Sequence, residues 1–266
     1  LDDDQMDELY QHFRDDEKLF IDHVKDWVQQ VEFQYSPYLT PFLDPREQYI
    51  VESIIGQHNE VKAEAYGGYE AAERKRLFLS PSYFEPSQDD YKIKITEIRY
   101  PKKFAELSHG KILGTLMGTG VKREMLGDII TDGEDWQFFA DEAIMQFLLP
   151  SLTKIGNITI QLEEIVYTDI LVPKDTWDER NEIVSSLRLD VILASVFHIS
   201  RQKSKELISS NKVKVNWNET DRPDIVLGIH DVVSIRGYGR IRIEAIEGKT
   251  KKEKMRLRLG VLDRNR

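Results

Sequence analysis

Between residues 186 and 217 the chain sets down two short helical patterns and an alternating strand, and the outward positions of all three are mostly basic. The surrounding chain is acidic. Its formal charge is −10, yet residues 181–266 hold 18 Lys and Arg against 11 Asp and Glu, and residues 1–180 hold 19 against 36. Cations gathered on elements that must fold to bury an apolar face predict a compact basic domain that meets phosphates, joined to an acidic body that does not. The charge split points toward nucleic acid.

Local chemistry refines this picture. Val184–Ile199 is apolar enough for a helix, interrupted by Arg188, Asp190 and His198, and Ser200 suits the N-cap of a second helix over Arg201–Ser210. At about 100° per residue, Ser204, Leu207 and Ile208 share the inner face, Arg201 and Lys205 one flank, and Lys203 the other. Asn211 stands where a helix stop tolerates left-handed geometry. Lys212-Val213-Lys214-Val215 alternates as an edge-type strand with its lysines outward. Further strands are expected at Val232–Arg236, Arg240–Ile246 and Lys254–Leu259, with Arg256 and Arg258 opposite Met255, Leu257 and Leu259.

A chain of 266 residues has room for two or three domains, and 40% hydrophobic with 32% charged residues suits a globular protein. No apolar run approaches the roughly 18–20 residues that span a bilayer, so no membrane insertion is expected. The opening Leu1-Asp2-Asp3-Asp4 is unlike a signal peptide. Zero Cys excludes disulfides, thiolate metal sites and cysteine nucleophiles, and suits a reducing cytoplasm. The six His are scattered, so no metal site and no cofactor is expected.

An α+β chain of three domains is expected. The first, residues 1–88, begins with helical spacing at Met6, Leu9, Tyr10 and Phe13, and again at Leu19/Phe20, Val24, Trp27/Val28 and Val31, with Asp15 or Asp16 as a cap between. Asp44-Pro45 starts another helix through Ile55, and Val61–Tyr66 and Arg76–Leu79 are strands around Gly67-Gly68. That glycine pair, an exposed Tyr69 and the cations Arg74, Lys75 and Arg76 form a candidate secondary RNA contact, against the plainer reading of a solvated turn and strand edge. Pro81–Asp90 reads as a linker.

The second domain, residues 90–172, runs strand Tyr91–Tyr100, helix Phe104–Met117, strands Met125–Thr131 and Trp136–Ala140 around the hairpin dipeptide Asp132-Gly133, a helix from Asp141 that Pro150 ends or kinks, and strand Ile158–Val166. The order βαββαβ predicts a ferredoxin-like sandwich, the architecture of RNA-recognition motifs, although no aromatic-rich stacking strand is present. Gly114, Gly118 and Gly120 resemble a phosphate loop only loosely and read as helix C-caps. Asp132, Glu134 and Asp135 lack calcium-loop spacing and read as a hairpin turn. Lys122 and Arg123 are further candidate phosphate contacts.

Residues 181–266 resemble the S4 domain, a small RNA-binding module, through Arg188-Leu189-Asp190, Ser200-Arg201, Leu207-Ile208, Val213-Lys214-Val215-Asn216 and Asp231–Gly237. The resemblance places RNA contacts at Arg188, Arg201, Lys203, Lys205, Lys212 and Lys214, with Ser200, Arg236 and Arg240 in the same candidate set. Three positions depart from the pattern: Ser204 where Ala is usual, Asn211 where Gly is usual, and Trp217, which replaces a turn glycine and offers a stacking surface. Over nearly the whole chain, His12-Phe13-Arg14, Gly67–Glu70 with Glu73–Arg76, and Leu113–Asp128 make it similar to the YlmH family of Gram-positive bacteria. That resemblance implies a non-enzymatic RNA-binding protein, encoded among cell-division genes, that meets rRNA and tRNA on the large ribosomal subunit in rescue of stalled translation; a monomer is expected. Two alternatives stand beside it. One is an RNA-modifying enzyme with an appended S4-like module, although no catalytic residue is legible. The other is a cell-division scaffold that binds a division protein through the acidic segment.

Overall fold

The computed structural model describes residues 10–56, 60–173 and 176–263, and the chain divides near residue 174 into two compact units. The first unit opens with helix α1 (Lys18–Gln34), whose buried Ile21, Val24, Val28 and Val31 recur at helical spacing. Leu19, expected on that stripe, is 69% exposed, and Ile21 takes the inward position. Met6 and Leu9 lie outside the described residues; Tyr10 and Phe13 pack partly onto the α1 core. Neither Asp15 nor Asp16 caps α1. They form a 3-10 turn with Glu17, which stands at the N-cap position and accepts a hydrogen bond from buried Arg46 at 2.9 Å.

Helix α2 (Pro45–Ile55) starts as its sequence dictates. The Glu47 N–H donates to the Asp44 carboxylate at 2.8 Å, and the Asp44 N–H donates back to Glu47 at 3.0 Å. Both helices cover an antiparallel sheet of order β1-β3-β2, built from β1 (Tyr38–Leu39), β2 (Val61–Tyr66) and β3 (Arg76–Pro81). The expected linker is structured instead. Pro81 ends β3, Ser87 and Asp90 cap a 3-10 turn, and buried Tyr91 donates its hydroxyl to the Glu64 carbonyl at 3.1 Å.

The rest of this unit runs β4 (Ile93–Arg99), α3 (His109–Gly118), β5 (Leu126–Thr131), β6 (Trp136–Asp141), α4 (Glu142–Ser151), the small hairpin β7 (Lys154–Ile155) and β8 (Ile158–Thr159), and β9 (Gln161–Ile165). Its main sheet is antiparallel with order β5-β6-β4-β9, and α3 and α4 bury Ile112, Leu116, Met145 and Leu148 against one face. Helix α3 begins at the Ser108 cap rather than at Phe104, which is 89% exposed. Gly114 therefore lies inside the helix and is not a C-cap. At the hairpin, one Asp132 carboxylate oxygen accepts from the Glu134 and Asp135 N–H groups, which accounts for that acidic cluster.

In the second unit, β10 (Asp178–Val184) pairs along its whole length with β15 (Met255–Asp263). Between them come α5 (Leu189–Val196), α6 (Arg201–Ser209), β11 (Val213–Val215), β12 (Asn218–Glu219), β13 (Val232–Ile235) and β14 (Gly239–Lys249). The sheet order is β10-β15-β14-β13-β11-β12. Two expectations change here. Val184 closes a strand rather than opening a helix, and β11 is flanked by β12 and β13 rather than lying at the edge. Both helices press Leu189, Ile192, Leu193, Leu207 and Ile208 onto Val213, Ile235, Ile241, Leu257 and Leu259. Each such side chain contributes about 1.5–3 kcal/mol of burial, so the helical face is held rigidly on the sheet.

Candidate nucleic-acid interface

The basic helical surface is organised around one buried carboxylate. Asp190, fully buried in the first turn of α5, accepts from Arg188 Nε at 3.0 Å and from Arg201 Nη2 at 3.0 Å. The Arg188 and Arg201 side chains stay 39% and 55% exposed, so each is fixed at its inner edge and open at its outer edge. Burial alone would push the Asp190 carboxyl up, but the hydrogen bonds and charges of the two guanidiniums outweigh it and hold the carboxyl below its ordinary value. The segment 223–227 clamps this helix start: the Leu189 and Asp190 N–H groups donate to the carbonyls of Ile225 and Pro223.

Ser200 accepts from the Lys203 N–H at 3.0 Å and so acts as the cap of α6. Buried Ser204 donates its hydroxyl to the Asp190 carbonyl at 2.9 Å, tying α6 to α5 where the S4 pattern has Ala. With Ser204, Leu207 and Ile208 inward, Arg201, Lys203 and Lys205 face outward. Asn211 ends the helix at φ 57°, as its position required.

The expected set does not form one surface. Val213 and Val215 enter the core beneath the helices, so Lys214 projects from the opposite, helix-free face of the sheet. Its register partner Ser234 is in turn paired with Arg240, which places Arg240 on that second face as well. Lys212 and Arg236 are exposed at the rim, where the Arg236 N–H donates to the Lys212 carbonyl. Of the expected set, Arg188, Arg201, Lys203 and Lys205 lie on the helical side, with Lys203 on the other flank of α6 from Arg201 and Lys205. Trp177 and Arg242 were missed. Trp177 stands just before β10, a strand whose mixed polar sequence carries little apolar alternation, and its ring meets Arg242 at 4.4 Å.

The secondary contacts in the first unit are largely corrected. Arg74 and Arg76 are each only 5% exposed. Arg74 donates to the carbonyls of Leu126, Phe42 and Arg123, and Arg76 donates to the Thr40 carbonyl and to Asp141 at 2.7 Å. Arg123 turns back on the carbonyls of Leu126 and Gly127, and burial, helped by neighbouring Arg74, lowers its guanidinium to about 9. These arginines are internal ties, because carbonyl and carboxylate acceptors surround them where a phosphate would have to enter. Lys75 is half-buried and Lys122 remains exposed.

Tyr69 is not exposed for stacking either. Its hydroxyl donates to Asp128 at 2.7 Å and its ring stacks on Phe139 at 4.9 Å. Gly68, at φ +97°, allows this approach, since a Cβ there would come within 2.4 Å of the Phe139 ring. Gln137 holds the next part of the cover, donating to the Asp169 carbonyl and accepting from the Leu171 N–H, both at 2.9 Å. The helix-free face of the β5-β6-β4-β9 sheet is thus roofed by Tyr69, Ile170 and Leu171. An RNA-recognition motif would stack bases on that face.

No helix among the described residues is long and apolar enough to cross a membrane, and no cluster of potential metal ligands occurs among them. Three family models match in succession: "YlmH, N-terminal" over residues 16–84, "Putative RNA-binding domain in YlmH" over 86–169, and "S4 domain" over 187–233. The chain is 42% identical over 252 residues to the Ribosome-associated protein quality control protein P2 of Bacillus subtilis (strain 168), covering 95% of this chain and 98% of that one. A solved structure, the cell division protein ylmH from Streptococcus pneumoniae, superposes with a TM-score of 0.54 at 33% identity, covering 60% of this chain and 98% of its own. On this agreement in sequence and fold, the chain belongs to the YlmH family.

Proposed function

We propose that this protein binds structured RNA, the rRNA and tRNA of the large ribosomal subunit, through the helical face of its second unit, and that it does so without catalysis in the handling of stalled translation. The observation that carries this reading is the α5–α6 patch, in which a buried Asp190 fixes Arg188 and Arg201 while capped helix α6 presents Lys203 and Lys205. Cations held on rigid elements lose little entropy on meeting phosphates, and each contact releases counterions. The Bacillus relative's name, with its ribosome association and quality control, supports the same assignment. We assign residues 1–88, 90–172 and 181–266 to three functional domains, the middle one ferredoxin-like, its strand order matching that architecture.

The test leaves the arginines alone, because reversing either would replace one of buried Asp190's two guanidinium partners with a like charge and confuse folding with binding. Lys203→Glu with Lys205→Glu alters only exposed α6 positions. The expected result is loss of co-sedimentation with large ribosomal subunits and an unchanged melting temperature. Co-sedimentation equal to wild type at matched salt would overturn the assignment.

A further inference from the structure

On the helix-free face of the second unit's sheet, two tryptophans and two arginines converge. The Arg240 guanidinium lies 5.2 Å from the Trp177 ring and 5.5 Å from the Trp217 ring, and Arg242 lies 4.4 Å from Trp177. The β-register explains the grouping. One row across the sheet runs Lys214, Ser234, Arg240; the next runs Val232, Arg242, Gly260. Gly260 makes room for Trp177, whose ring would lie only 3.1 Å from a Cβ at that position. Arg256 and Arg258 continue the same face along β15, opposite the buried Leu257 and Leu259. Arg242 is paired with Glu244 and Arg258 lies near Glu179 and Glu247, while exposed Lys214 and Arg256 add charge on the same face.

Trp217 occupies an unfavourable place for its type. It and Asn216 join β11 to β12 with φ of 68° and 48°, the backbone of a type I′ turn, in which Gly or Asn normally stands because φ is positive at both central positions. An aromatic side chain there costs local stability. The turn geometry therefore does not account for this tryptophan, whose ring lies against Arg240.

We infer that the Trp177–Arg240–Trp217 cluster is a second nucleic-acid site, one that takes an unpaired nucleobase from a single-stranded stretch of RNA, with Lys214 and Arg256 on the same face for its phosphates. Both indoles are partly exposed, and indole and guanidinium planes are the groups on which splayed bases stack without sequence preference. The inference rests on the RNA-binding reading above but uses the opposite face of the sheet from the α5–α6 patch. The second unit would then hold structured RNA on its helices and an unpaired flank on its sheet.

Trp217→Gly tests this without endangering the fold, because glycine suits the turn and the melting temperature should hold or rise. Full-length protein is titrated with a fluorescein-labelled RNA hairpin carrying a 3′ oligoadenosine tail, and with the same hairpin carrying an abasic tail of equal length. Wild type should prefer the adenosine tail by about tenfold, the size of one base–aromatic stack. Trp217→Gly and Trp177→Ala should each abolish that preference while leaving abasic-tail binding unchanged. Equal wild-type affinity for the two tails, or a preference that survives Trp217→Gly, overturns the stacking site. Lys203→Glu with Lys205→Glu, run on the abasic probe, reports on the helical patch separately, so failure of one surface is distinguishable from failure of the other.

Discussion

Arg74 and Arg76, at the start of β3, point into the first unit and end on carbonyls and a buried aspartate; Arg201, Lys203 and Lys205, on α6, point out of the second. Each run lies close to a carboxylate, half-buried Asp128 in the first and fully buried Asp190 in the second, but the geometry differs. Asp128 accepts from the Tyr69 hydroxyl and from the N–H groups of Glu73 and Arg74, so its partners are local backbone and a phenol. Asp190 accepts from two guanidiniums whose outer edges reach solvent. The first arrangement locks a loop onto a sheet; the second pins cations while leaving them available. The proposed binding surface is the run whose carboxylate lies beneath it, while the buried run has its acceptors all around it.

The largest expected effect breaks this contrast at its buried side. Arg76→Ala leaves the Asp141 carboxylate without its guanidinium in a site where both side chains are nearly enclosed. Stripping one partner from a buried pair costs about 3–5 kcal/mol, so urea unfolding followed at the first unit should show a loss of that size. Lys205→Ala on exposed α6 should change stability by less than about 0.5 kcal/mol, while lowering by about one the slope of log affinity for RNA against log salt. If Arg76→Ala instead kept stability and weakened RNA binding, Arg76 would belong among the contacts after all.

The features legible in the sequence were those decided by neighbours in the chain. Asp44-Pro45 with Glu47, Ser200 with Lys203, and Asp132-Gly133 carry their own capping and turn chemistry. The α6 faces followed from helical period alone. What was not legible depended on distant partners. Arg76 is buried by Thr40 and by Asp141, 65 residues away, and nothing in the 74–76 run announces either. β10 has no apolar alternation of its own and is a strand because β15 offers it a ladder. The division of the basic set between two faces turned on where β11 sits in its sheet. Alternation put Lys214 opposite Val213, but only the sheet order shows that Val213 faces the helices.

Acid should separate the two aspartates. Asp190 is held below its ordinary value, so its contribution to the second unit is complete above the unfolded aspartate value of about 3.9 and is lost as pH falls through and below it. Asp128 is pushed the other way, first by burial and then by Glu73, against the N–H donors that favour its ionised form. Its share of stability in the first unit is complete below about pH 3.9 and declines as pH rises through its higher folded value. Hydrogen exchange on the full chain, corrected for intrinsic rates, should show segments 188–210 losing protection on acidification below pH 4 while Asp190→Asn flattens that acid limb. Protection around 69–76 should respond in the opposite sense to Asp128. Parallel acid responses in both segments would mean that other carboxylates dominate and that the contrast is not set by these two.

The smallest effect is the most discriminating about how the patch is built. Ser204 is fully buried, and its hydroxyl donates to the carbonyl of Asp190, the residue that pins Arg188 and Arg201. That carbonyl lies in the first turn of α5 and is also positioned to accept the helical i→i−4 bond, so removing the hydroxyl leaves no bare acceptor. Alanine fits the volume and loses one neutral hydrogen bond, a net cost of about 1 kcal/mol or less. Ser204→Ala should therefore lower the melting temperature slightly and leave RNA affinity within about twofold. A larger fall in affinity than in stability would show that the hydroxyl sets the position of Asp190, and that the outward arginines are aimed from α6 as well as from α5.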